Sequence, residues 1–131
     1  MRSVDSKALR GSGWGDTLQN VRDGEARAVL QRGRPEAVLL PFSLWQRGAA
    51  AVPVDESVQQ TDSVRHVRDN LRTRREEARR GRHTMITWHS DTDPLVVLAP
   101  WEWTREALPE LGDLEIDDST PRRYGGTSAG A

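Results

Sequence analysis

The chain has 131 residues, enough for one ordinary domain or for two very small units that share a core, and too few for a second large domain. Nineteen Lys and Arg against twenty Asp and Glu leave a formal net charge of −1, so no global field directs the chain to nucleic acid or to an anionic membrane. Cysteine is absent, which excludes disulfide staples, thiolate zinc sites and thiol nucleophiles and fits a reducing cytosol. Charge is uneven along the chain: residues 61–82 hold eight arginines against four acids, and residues 109–131 hold five acids against two arginines. Lys7 is the only lysine, a bias that reads as genomic base composition. The start "MRSVDSKALRG" has no apolar leader-like run, and no stretch approaches the ~18 apolar residues of a membrane span, so the expectation is a soluble cytoplasmic protein.

In chain order, "GSGWG" at 11–15 reads as a flexible turn; it lacks the preceding strand and following Lys-Ser/Thr of a phosphate loop. Trp14, Leu18 and Val21 recur at i, i+4, i+7, one face of a helix that stops at Gly24. Residues 26–32 and 36–40 read as strands joined by a tight turn on Gly33, and Pro41 opens a short helix, "PFSLWQR". Residues 48–60 lack periodicity and read as a linker that spans up to roughly 40 Å when extended. Val64, Val67, Leu71 and Ala78 trace a second helical face that ends at Gly81. Strands are expected at 83–89 and 95–99, then a helix "PWEWTREAL" from Pro100. Trp101 and Trp103, two residues apart, are not expected to face inward together, so one is assigned to a partner surface. Residues 109–131 read as an acidic, disordered tail.

The chain carries an internal repeat. An offset of 57 places Asp5-Ser6 on Asp62-Ser63, Trp14 on Leu71, Gly24 on Gly81 and Val29 on Ile86. An offset of 59 then places Pro35, Val38, Leu39, Pro41 and Phe42 on Pro94, Val97, Leu98, Pro100 and Trp101, a two-residue insertion in one hairpin. Each copy reads as helix, β-hairpin and short helix: 1–47 the first, 48–60 the linker, 61–108 the second and 109–131 the tail.

The stretch "GEARAVLQRGRPEAVLLPFSLW" (24–45), with "VRDNL" (67–71) and "ITWHSDTDPLVVLAPWEW" (86–103), resembles the Phd/YefM antitoxin family, over about residues 3–47 and again over about 61–108. The resemblance implies an α+β fold in which two units pair, their hairpins forming a joint antiparallel sheet backed by helices. It implies a dimer that binds operator DNA, a C-terminal extension that neutralises a cognate toxin, and a complex that represses its own promoter. With both copies in one chain, the dimer becomes an intrachain pseudo-dimer, the bimolecular step replaced by an effective concentration on the order of mM. Exchange of the second copy between chains, and so further self-association, is open to the same linker.

Two departures make the copies unequal. Gly11-Ser12-Gly13 interrupts the first helix, and Ser90-Asp91-Thr92-Asp93 replaces the basic turn of the second hairpin. The candidate DNA contacts are therefore Arg32 and Arg34 at the first turn and Arg65, Arg68 and Arg72 on the second helix, since guanidinium groups bind phosphate in a bidentate manner. The plainer reading of the same run is a solvated helix face with i,i+4 pairs to Glu76 and Glu77. In the tail Leu111, Leu114 and Ile116 alternate with acids, a pattern suited to folding onto a basic toxin, or simply to solubility. His83 and His89 lie about 20 Å apart on a strand and cannot share a metal; no cofactor is indicated. No nucleophile elbow or placed carboxylate pair marks an enzyme. The expectation is an autorepressing antitoxin, and the alternative is a protein-interaction module on the same fold that does not bind DNA.

Overall fold

The computed structural model describes residues 1–88 and 93–114. Strand β1 (Arg2–Asp5) leads into helices α1 (Ser6–Leu9) and α2 (Gly13–Arg22), then the hairpin β2 (Arg27–Gln31) and β3 (Arg34–Pro41), then α3 (Phe42–Ala51). A single 3-10 turn at Glu56–Val58 precedes the same order of elements: β4 (Gln59–Ser63), α4 (Val64–Asp69), α5 (Leu71–Arg79), β5 (His83–Thr87), β6 (Val96–Pro100) and α6 (Trp101–Ala107). The six described strands form one sheet, ordered β1-β2-β3-β6-β5-β4.

The architecture is α+β, but the sheet is mixed and not the antiparallel one expected. β1 runs parallel to β2 and β4 parallel to β5, while β2–β3, β3–β6 and β5–β6 are antiparallel. Parallel neighbours need a crossover, and the helix pairs α1–α2 and α4–α5 supply it by carrying the chain across one face of the sheet. The edge strands, "RSVD" and "QQTDS", are short and largely polar, so no alternation announces them; their pairing to an apolar neighbour makes them strands.

Side chains alternate across the sheet and sort into two cores. Leu39 and Leu98 join Leu9, Trp14, Leu18, Val21, Val67, Leu71 and Ala78 beneath α1, α2, α4 and α5. Val38, Leu40, Val97 and Ala99 point the other way, onto Trp45, Trp101 and Ala107 of α3 and α6. The result is three layers, with the β3–β6 seam fully buried on both sides. None of the described helices is long and apolar enough to cross a membrane.

Four sequence expectations are revised. The "GSGWG" segment is only partly a turn, because α2 begins at Gly13. Of the linker 48–60, residues 48–51 extend α3 and residues 59–60 open β4. Trp101 and Trp103 both serve the lower core: Trp101 is 9% exposed, and Trp103 packs on Trp45 and His83 while its Nε1 donates to the carbonyl of Val52 at 3.0 Å. The start of the tail is structured too, with a 3-10 turn at Pro109–Leu111 and Leu111 and Leu114 packed against the lower core. Ile116, His89, Asp91 and the remainder of the tail lie outside the described residues.

Candidate functional site

The turn between β2 and β3 is the tightest available. Gln31 pairs with Arg34, leaving only Arg32 and Gly33 as the loop, and both are left-handed, at φ 52° and 78°. Two positive φ values in a two-residue loop define a type I′ turn, whose twist matches the flanking strands. Glycine accepts this conformation freely. Arginine does not, and Arg32 is the only non-glycine residue with positive φ among the described residues.

This turn leans over α5. Arg10, Arg32, Arg34, Arg72, Arg75 and Arg79 line one cleft of about 700 Å³, together with Gln31, Glu36 and Glu76. Three of the five expected arginines thus meet: the turn of the first half and the helix of the second share a surface. Arg65 and Arg68 do not line this cleft; they stand on α4, exposed, with Arg65 4.0 Å and Arg68 3.3 Å from Asp69. Arg72 is likewise exposed, 3.5 Å from Glu76. Exposed pairs of this kind contribute only about 0–1 kcal/mol, so these guanidinium groups remain available to a stronger anion.

The floor of the cleft was not anticipated from sequence. Arg75 is 5% exposed, and its Nε donates to Glu36 Oε1 at 2.7 Å. Arg79 approaches the other oxygen of Glu36 at 3.9 Å. The Nη1 of Arg75 is buried with no hydrogen-bond partner among the described residues. A signal did exist: on α5 the buried positions are Leu71, Arg75 and Ala78, so an arginine occupies the middle of an apolar stripe. Arg10 carried no comparable signal.

Arg74, one residue away, is fully occupied elsewhere. It donates from Nε to Asp62 Oδ2 and from Nη1 to Glu77 Oε1, each at 3.0 Å. Burial raises the pKa of Asp62, but hydrogen bonds from His66, the Ser63 amide and Arg74 outweigh it and hold the carboxyl below its usual range. That network fastens α4 and α5 to β4.

A second groove adjoins the first. It measures about 480 Å³, is lined by Pro35, Pro53, Val54, Pro100, Trp101 and Trp103 among others, and shares Glu36 and Arg79 with the arginine cleft. Comparison of the chain with protein-family models, curated proteins and solved structures finds no match in any of the three.

Proposed function

We propose that the chain is a DNA-binding autorepressor of antitoxin type, built as two Phd/YefM-like units fused into an intrachain pseudo-dimer, that also neutralises a cognate toxin. One observation carries the DNA reading: Arg32 and Arg34 from the first half and Arg72 from the second line a common basic cleft, and Arg65 and Arg68 stand exposed on α4. The pseudo-dimer is supported by the identical order of elements in the two halves and by the central strand register, in which Leu39 faces Leu98, its partner at offset 59. The basic surface is one-sided, so the operator is an imperfect palindrome or a single asymmetric site.

A gel-shift of the full chain on the upstream region of its own gene tests this. Replacing Arg68 or Arg72 by Ala is expected to weaken binding and flatten the log–log salt slope by about one unit each, because each phosphate contact contributes ~0.9. If alanine variants at Arg32, Arg34, Arg65, Arg68 and Arg72 all bind as the parent does, the DNA reading fails. The second reading is the interaction module, an adaptor or toxin-neutralising scaffold without DNA binding. It is favoured by the carboxylates that Arg65, Arg68 and Arg72 already face.

For the toxin, Leu111 and Leu114 pack against the lower core, so the proposed partner-binding segment is residues 115–131, with Ile116. Deleting residues 115–131 is expected to abolish neutralisation and spare DNA binding. Neutralisation that survives this deletion removes the tail from the mechanism.

A further inference from the structure

We infer that the cleft between the β2–β3 turn and α5 binds a short phosphate chain, either free or carried on a nucleotide. Six guanidinium groups face two carboxylates, Glu36 and Glu76, across about 700 Å³, which leaves four uncompensated positive charges. A chain of three phosphates carries about four negative charges near neutral pH, and its oxygens accept bidentate hydrogen bonds from guanidinium.

Arg75 gives the cleft its selectivity. Its Nε is fixed by Glu36 at 2.7 Å, so the guanidinium plane is set before any ligand arrives, and the buried Nη1 has no acceptor among the described residues. An unpaired buried donor is a penalty, and a shift of the Arg75 side chain that brings Nη1 to an anionic oxygen in the cleft relieves it. A duplex, whose phosphates lie on a wide cylinder, meets the exposed arginines of the cleft, Arg32, Arg34 and Arg72, but not the buried Arg75, whereas a short phosphate chain is thin and flexible enough to do both. The exposed Arg65 and Arg68, which suit a duplex, are not part of the cleft.

The chemistry occurs on one side only. The offsets that align the two halves place Asp91 and Asp93 opposite Arg32 and Arg34, and Gly15 and Leu18 opposite Arg72 and Arg75. Beyond Glu36 and Arg79 the adjoining groove offers Pro35, Pro100, Trp101 and Trp103 to a planar ring, should the phosphates belong to a nucleotide.

Calorimetric titration of the full chain, without DNA and near about 0.15 M salt, separates the cases with three probes: inorganic phosphate, inorganic tripolyphosphate and adenosine triphosphate. Tripolyphosphate is expected to bind at least about tenfold more tightly than single phosphate. Tighter binding of adenosine triphosphate than of tripolyphosphate identifies a nucleotide as the source; equal or weaker binding identifies free polyphosphate. Arg34→Gln and Arg72→Gln, at exposed positions outside both cores, are expected to lose about tenfold each. Arg75→Gln combined with Glu36→Gln removes the buried pair together and is expected to abolish the preference for tripolyphosphate. The inference is overturned if tripolyphosphate binds no better than phosphate, or if Arg34→Gln and Arg72→Gln bind it as the parent does. Arg65→Ala with Arg68→Ala is expected to weaken operator binding and leave tripolyphosphate binding unchanged, so the two readings fail separately.

Discussion

Leu39 lies directly opposite Leu98 at the middle of the β3–β6 seam, flanked by Ala37–Pro100 on one side and Pro41–Val96 on the other. Both leucines are 0% exposed and point into the same core beneath the helix pairs. Under the proposed two-unit reading this is where the two copies cross, so each leucine makes the contact that would join two subunits. Leu39→Ala and Leu98→Ala are each expected to cost about 2–5 kcal/mol, measured by chemical denaturation. The double variant should be non-additive, since the two sites share one cavity. Additivity to within error would mean that the seam is not one cooperative unit.

Gly48 is expected to resist the usual helix-stabilising substitution. It lies inside α3, where Ala is ordinarily preferred by about 1 kcal/mol. A Cβ there would stand 2.9 Å from the Trp103 ring, 3.1 Å from Leu108 and 3.3 Å from Ala107. Trp103 is held by its hydrogen bond to Val52 and by its contacts with Trp45 and His83, so it has little room to yield. Overpacking therefore wins: Gly48→Ala should destabilise by about 1–3 kcal/mol, seen as a lower Tm. A raised Tm would show that α3 and α6 pack more loosely than described.

His83 makes stability pH-dependent. Burial lowers its pKa from the ordinary 6.5 to about 4, and its Nδ1 accepts from Trp45 Nε1 at 2.9 Å, a bond that requires Nδ1 to be unprotonated. The unfolded chain thus binds a proton more readily than the folded one. The stabilisation is whole above about pH 6.5, declines as pH falls, and is gone near about pH 4. Asp62, held below its ordinary carboxyl range, contributes stability that stays complete through this window and is lost only at still lower pH. Urea midpoints measured through this window should fall for the parent and much less for His83→Gln, whose amide oxygen still accepts from Trp45. Equal slopes for the two proteins would exclude His83 as the cause.

Arg32→Asn separates folding from binding. Arg32 occupies a left-handed conformation that asparagine adopts at lower cost, so stability should hold or rise by up to about 1 kcal/mol. The same change removes one cation from the cleft and should weaken both operator and tripolyphosphate binding. Undiminished binding by this well-folded variant would remove the turn from the site.

Much of this fold was legible in the chain itself, because local patterns carry it. The i, i+4, i+7 spacing of Trp14, Leu18 and Val21 gave a helix, and the apolar run to Pro41 gave a strand, whose two faces feed two cores. The offset of 59 aligns Leu39 with Leu98, which lie opposite each other in the sheet, and the arginines at the turn and on the helix were singled out one at a time. What no local pattern specified was pairing between distant segments. β1 and β4 are polar four- and five-residue pieces that become strands only because β2 and β5 present unpaired edges to them. Trp103 turns inward because the carbonyl of Val52, distant in sequence, accepts its indole N–H. Arg75 is buried because Glu36 of β3 lies against α5 to balance its charge, and that long-range pair sets the floor of the cleft. Hydrophobic periodicity is written over a few consecutive residues, whereas charge compensation and edge pairing depend on which segments the tertiary structure brings together.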